Sequence, residues 1–159
     1  MKVRKALPKD LPEIVKIYEY ARAFMRQTGN PNQWGNSNPP ISVLERDIYA
    51  DQLYLLEDGA VIQGVFAFII GEDPTYREIN GAWHSDEPYG TIHRIAASGF
   101  QRGVFSACIA YCENKISYLR IDTHEDNRIM QHLVEKHGFR RCGMIYLADG
   151  SPRIAYDRL

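Results

Sequence analysis

The stretch Ile92-His93-Arg94-Ile95-Ala96-Ala97-Ser98-Gly99-Phe100-Gln101-Arg102-Gly103-Val104-Phe105-Ser106-Ala107 decides the fold. Residues Thr91 to Ala97 read as a strand. From about Arg102 to Lys115, Val104, Cys108, Tyr111 and Cys112 return at helical spacing. The loop between them feeds a helix N-terminus, where the first backbone N–H groups have no partner inside the helix. With the helix dipole they suit phosphate oxygens, and Gln101 and Arg102 add a donor and a charge. The loop lacks both the Gly-Lys-Ser/Thr of a P-loop and the Gly-x-Gly-x-x-Gly of a dinucleotide fold. Taken alone, it is also readable as an ordinary strand-to-helix turn.

Working outward, Tyr118 to Thr123 is predicted as a strand and Asn127 to His137 as a helix, ended by Gly138 at C′. Phe139 to Leu147 and Arg153 to Tyr156 are two last strands, joined by Ala148-Asp149-Gly150-Ser151. Upstream, Lys2 to Ala6 suits an edge strand. Pro8-Lys9-Asp10-Leu11-Pro12 then opens a helix whose apolar positions Leu11, Ile14, Val15, Ile17, Tyr18, Ala21, Phe24 and Met25 keep the helical spacing as far as Thr28-Gly29-Asn30-Pro31. In the loop Gly29 to Pro40, Trp34 either plugs the core or lines a pocket. A second helix is expected from Ser42 to near Ala50, with Ser42-Val43-Leu44-Glu45 as a capping box. Leu53 to Ile62 reads as a hairpin about Asp58-Gly59, its second strand running to Ile70. The order βααβββαβαββ combines an antiparallel hairpin with a right-handed parallel crossover. That calls for an α/β fold: one mixed sheet of about seven strands with helices on both faces.

The chain has 159 residues, 45% of them hydrophobic and 25% charged, which suits one soluble globular domain over residues 1–159. Its net charge of -1 gives no basic excess of the kind nucleic acid or an anionic membrane surface would require. The charged start, Met1-Lys2-Val3-Arg4-Lys5, has no apolar stretch of a signal peptide, and Val61 to Ile70 is too short to span a bilayer. Cys108, Cys112 and Cys142 are an odd number without a framework spacing. The expectation is reduced thiols and a cytoplasmic protein.

The chain resembles the GNAT superfamily of acetyl-CoA-dependent N-acetyltransferases over essentially its whole length, about Met1 to Leu159. The features that carry the likeness are the helix opening at Asp10, the strand–loop–helix about Gly103, the helix start at Asn127 and the ending Lys136-His137-Gly138-Phe139. Runs such as Gly29-Asn30-Pro31, Gln33-Trp34, Thr91-Ile92-His93-Arg94, Asp122-Thr123-His124 and Met130-Gln131 resemble those of small bacterial acetyltransferases. The resemblance implies a GNAT-like splayed sheet in which the Thr91–Ala97 strand parts from its neighbour. It further implies that the backbone of Ile95, Ala96 and Ala97 pairs with the pantetheine arm of acetyl-CoA. Gln101, Arg102, Gly103, Val104, Phe105 and Ser106 would hold the pyrophosphate, and Asn127 would face the cofactor. A homodimer is a family expectation. The chain departs from the family pattern at two places. Aligned on Gly103, Phe100 and Phe105 stand where the pattern has Gln or Arg and Gly or Ala, so Phe105 either crowds the cofactor or turns inward under its helix. Val134 stands where many members carry a Tyr acid. A thiol of pKa about 8.5 is a tolerable leaving group without one.

An amine acceptor arrives protonated, and His is the natural base near neutral pH. His93 and His124 both stand near the expected splay, and Asp122 is placed to orient one of them; a structural hydrogen bond in the sheet is the other reading. His132 and His137 read as surface or helix-end residues, and His84 lies in a loop. Glu72 and Asp73 either bind or relay for a cationic amine or are solvated loop charges. Phe24, Met25, Trp34, Tyr76 and Trp83 are candidates for an aromatic acceptor pocket, and Tyr146 for a substitute acid. Cys108 and Cys112 read as buried apolar thiols. The acids at Asp122 to Asp126 fit a helix N-terminus without a metal, so no metal is expected. The leading reading is acetyl transfer to the amine of a small molecule or peptide. A non-catalytic acyl-CoA-binding module and a metal-dependent hydrolase on the Asp122–Asp126 cluster are the competitors.

Overall fold

The buried Leu53, Leu55 and Leu56 along Leu53–Asp58 and the unbroken buried run from Gln63 to Phe68 set two strands deep in the sheet. In the computed structural model, which describes residues 1–159, the elements are β1 (Lys2–Lys5), α1 (Leu11–Gln27), α2 (Ile41–Tyr49), β2 (Leu53–Asp58), β3 (Val61–Ile70), β4 (Asn80–Gly81), β5 (Gly90–Ala97), α3 (Val104–Glu113), β6 (Leu119–Thr123), α4 (Arg128–Lys136), β7 (Arg140–Tyr146) and β8 (Pro152–Arg158). They form one eight-stranded sheet in the order β1-β2-β3-β5-β6-β8-β7-β4. Only β5 and β6 run parallel.

The eighth strand, β4, is the one the sequence did not announce. Two residues, Asn and Gly, carry no strand signal. The pairing exists because Gly81 and Gly143 let β4 and β7 approach until a Cβ on either would collide with the other's backbone. The expected capping box at Ser42 does not form. α2 starts one residue earlier, with Pro40 at the N-cap and no side-chain cap, because the Pro40 carbonyl already accepts from Val43 and Leu44. Elsewhere the local signals hold. Gly59 turns the hairpin at φ 63°, Asn127 caps α4 by accepting from Met130 N, and Gly138 ends α4 at φ 87°.

One face of the sheet packs Leu56, Phe66, Ile92, Leu119 and Ile121 against Phe105, Cys108, Ile109, Cys112 and Val134 of α3 and α4. Both helical cysteines are fully buried, and all three thiols are free. On the other face α1 and α2 cover only the β1–β5 half, through Ile14, Tyr18, Leu44 and Ile48. A small aromatic cluster, Tyr76, Tyr89 and Tyr118 with Ile145 and Ala155, covers the rest. No helix is long and apolar enough to cross a membrane.

The two halves part between β5 and β6. These strands pair at Gly90↔Leu119 and Thr91↔Arg120 and no further, so the β5 edge from Ile92 onward is open. A bulge in β5 accompanies the parting. Ala67 faces His93 and Val65 faces Ala96, leaving Arg94 and Ile95 opposite Phe66 alone. Arg94 sits at φ 51°, an unfavourable region for a side-chain-bearing residue. It is held there by the fully buried Asp47 carboxylate at 2.7 Å and by the Tyr18 hydroxyl, which donates to the Arg94 carbonyl at 2.6 Å.

Candidate active site

A cavity of about 600 Å³ opens at the parting of β5 and β6. Its walls come from residues 32–40, Asp73 and Thr75, the middle of β5, the end of β6 and the 147–151 turn. His93 points into it from the α1/α2 face. Its Nε2 lies 2.8 Å from Asp73 Oδ2, and no protein group bonds its Nδ1. Asp73 is fixed in turn, because its other oxygen accepts from Thr75 N and Thr75 Oγ1 at 2.9 and 2.7 Å, and its own N–H donates to the Tyr89 hydroxyl. Burial alone raises an acid's pKa. The bonds from His93 and Thr75 outweigh it here and hold Asp73 at about 2, below its ordinary 3.8.

Because the folded value lies below the unfolded one, this stabilisation is complete above about pH 4 and is lost as pH falls toward the folded value. Asp73→Asn should therefore lower the melting temperature at pH 7 and leave a much smaller deficit near pH 2.5, read by circular dichroism at both pH values.

The other expected orienting contacts form differently. Asp122 orients neither histidine; its Oδ2 accepts from Tyr76 OH at 2.5 Å. Burial, with Asp122 beside it, pushes Tyr76 well above the ordinary phenol range. His124 lies outside the cavity wall, with its Nδ1 accepting from Asp126 N at 3.0 Å. Tyr146 is 52% exposed on β7 and also lies outside that wall. Glu72 is a surface charge paired with Arg77. Its neighbour Asp73 is the partner of His93, which sequence reasoning left open, because nothing local ties residues 73 and 93.

Of the residues expected along the cofactor, Ile95 lines the cavity, Ala96 is buried against the α1 side, and Ala97 pairs with Gly64 on the far edge of β5. Gly103 caps α3 at φ 88° with no side-chain cap. Ala107 N is the first to bond back into the helix, leaving the N–H groups of Val104, Phe105 and Ser106 unpaired within it. Gln101 and Arg102 lie in the exposed approach to the helix. Phe105 turns inward, 6% exposed against the Phe105–His137 edge contact and the core. Ser106 Oγ bonds His137 Nε2 at 2.7 Å. Asn127 stands in the cavity wall, and its amide donates to Gln33 Oε1 at 2.9 Å. Val134 is fully buried under α4 and offers nothing to the cavity.

Met25 and Trp34 line the cavity; Trp34 also meets Tyr18 edge-on at 5.6 Å, so it both plugs and lines. Phe24 instead stacks on Tyr20 at the surface. Tyr76 and Trp83 pack together at 5.0 Å beside a separate depression, where Trp83 and Tyr89 sandwich the Arg120 guanidinium at 4.0 and 3.9 Å. No three of Asp122, His124, Glu125 and Asp126 converge. His84, Cys142 and Asp157 do, but Asp157 already accepts from Tyr118 OH, His84 N and the His84 ring, and burial beside that carboxylate pushes the Cys142 thiol up to about 12. Arg153, which the sequence did not single out, lies on the cavity wall.

No protein-family model matches the chain, and a search of curated proteins finds no match. Among solved structures, a GNAT-family acetyltransferase from Streptococcus agalactiae is 30% identical, with 99% of this chain and 94% of that chain covered at a TM-score of 0.89. A GNAT-family acetyltransferase from Listeria monocytogenes is 19% identical over 99% and 93% of the two chains, TM-score 0.72. A ribosomal-protein-alanine N-acetyltransferase from Brucella melitensis is 14% identical over 100% and 99%, TM-score 0.67. The last two share the fold. The first is similar enough, over nearly all of both chains, to carry more than the fold: the chain belongs to the GNAT family of acetyltransferases.

Proposed function

We propose that the protein moves the acetyl group of acetyl-CoA to the amine of a small molecule or peptide by direct attack within a ternary complex, with His93 as the base. The observation that carries this reading is the His93–Asp73 pair, set in the wall of the cavity where β5 and β6 part. Asp73 holds one ring nitrogen, so that the other is left to take a proton from the attacking amine.

Three features fit acetyl-CoA as donor. The β5 edge beyond Thr91 has no strand partner and can pair with an extended amide chain. The α3 N-terminus presents three N–H groups beside Arg102, and a Cβ at Gly103 would meet nothing nearer than 3.8 Å, so the backbone there is approachable. Phe105, packed inward, leaves that approach clear. When bound, acetyl-CoA supplies a reactive thioester carbonyl and a thiolate leaving group, far less basic than an alkoxide, that departs without a strong acid. Val134 in place of a Tyr acid is compatible with turnover on that account, and the inward Phe105 favours transfer over a non-catalytic acyl-CoA-binding module. A cytoplasmic location accords with the three free thiols.

Acetyl-CoA at a hundred times its Kd should add about 2.7 kcal/mol to stability. For a chain of this size that is roughly 5–10 °C in melting temperature. A melting temperature unmoved by millimolar acetyl-CoA and CoA refutes the reading. Release of free thiol with a panel of amines identifies the acceptor.

A further inference from the structure

Two arginines are buried, Arg120 at 5% and Arg153 at 7% exposure. Arg120 is answered within the protein: two aromatic faces enclose it, and it donates to the Ser85 carbonyl at 3.0 Å. Arg153 is not. Its guanidinium reaches only the Pro152 carbonyl at 2.8 Å and the Gln33 carbonyl at 3.4 Å, its Nε has no partner, and it takes part in no ion pair. Asp122 and Asp149 act on it only at longer range, and burial pulls its pKa down from the ordinary range. A buried cation without a counterion is costly, and a planar fork of donors suits a carboxylate in two-point contact.

The placement says whose carboxylate. β8 lies next to β6, and Ala155 faces Asp122 across that pair. Arg153, two residues from Ala155, therefore shares the α1/α2 face with Asp122 and His93, whereas α3, with its free N–H groups, packs on the opposite face. His93 and Arg153 stand two strand spacings across and two residues along the sheet from one another, roughly 12 Å between backbones before the splay widens it. That span admits a short molecule with an amine at one end and an anion at the other.

We propose that the acceptor amine also carries a carboxylate, bound by Arg153, so that the substrates are short amino acids rather than simple amines or polyamines. This rests on the acetyl-transfer reading above. The probes are free amino acids of increasing chain length, each paired with its carboxamide and its decarboxylated amine. Each is tested by thermal shift with CoA present and by thiol release with acetyl-CoA.

The native protein should favour at least one acid over its two uncharged partners by tenfold or more in kcat/KM. In Arg153→Gln that ratio should fall to near one, mostly through KM, while acetyl-CoA still raises the melting temperature. Arg153→Lys, which keeps the charge but not the fork, should fall between. Because the cation is unpaired, Arg153→Gln should melt no lower than the native protein; a purely structural arginine would cost stability. Amides or amines used as well as acids, an unchanged ratio in Arg153→Gln, or a panel in which no acid binds overturns the proposal. If acetyl-CoA does not stabilise the native protein, the transfer reading itself has failed instead.

Discussion

His93→Ala should lower kcat/KM for the amine about 10²–10⁴-fold, the usual range for loss of a positioned base. The imidazole is the one titratable group on the cavity wall with a ring nitrogen free of protein partners and the other nitrogen held by a carboxylate. The loss should come with a change in shape. The acid limb of the native pH–rate profile reports protonation of the neutral base, and it should disappear in His93→Ala. Stabilisation by acetyl-CoA should survive, because the β5 edge and the α3 N-terminus are untouched. Asp73 keeps its Thr75 bonds in the variant, so the fold should hold. A variant whose profile keeps the native shape removes His93 from the role of base.

Arg94→Ala should cost about 3–5 kcal/mol of stability, the range for removing one partner of a buried ion pair. At roughly 2–4 °C per kcal/mol, the melting temperature should drop by about 6–20 °C. Asp47 is fully buried and would be left with only Gln52 Nε2 at 3.0 Å. Asp47→Ala combined with Arg94→Ala takes the orphaned charge away and should recover part of the loss, as urea denaturation of the single and double variants would measure. A single variant that costs less than about 1 kcal/mol would show that something other than this pair sets the bulge.

The sequence by itself determined the element order apart from β4, the turn at Asp58-Gly59, the helix start at Asn127, the stop at Gly138 and the burial of Cys108 and Cys112. Each depends on neighbours a few residues apart: a periodicity, a side chain reaching its own helix end, a glycine that permits positive φ. It also drew attention to His93 and to the approach to α3, and it left Phe105 balanced between two orientations. Only the tertiary structure decided the rest. Asp73 rather than Asp122 holds His93, because the bulge at Arg94 and the loop ending at Thr75 bring those groups together, and Asp122 is taken by Tyr76. Gln33 reaches Asn127 across 94 positions of chain. Arg153 carries no local signal at all. The strand register buries it beside the cavity, with Asp122 and Asp149 near but no carboxylate close enough to form an ion pair. Side-chain pairings set by sheet register and by the packing of distant loops leave no periodic trace in the chain, so they are settled only when the sheet assembles.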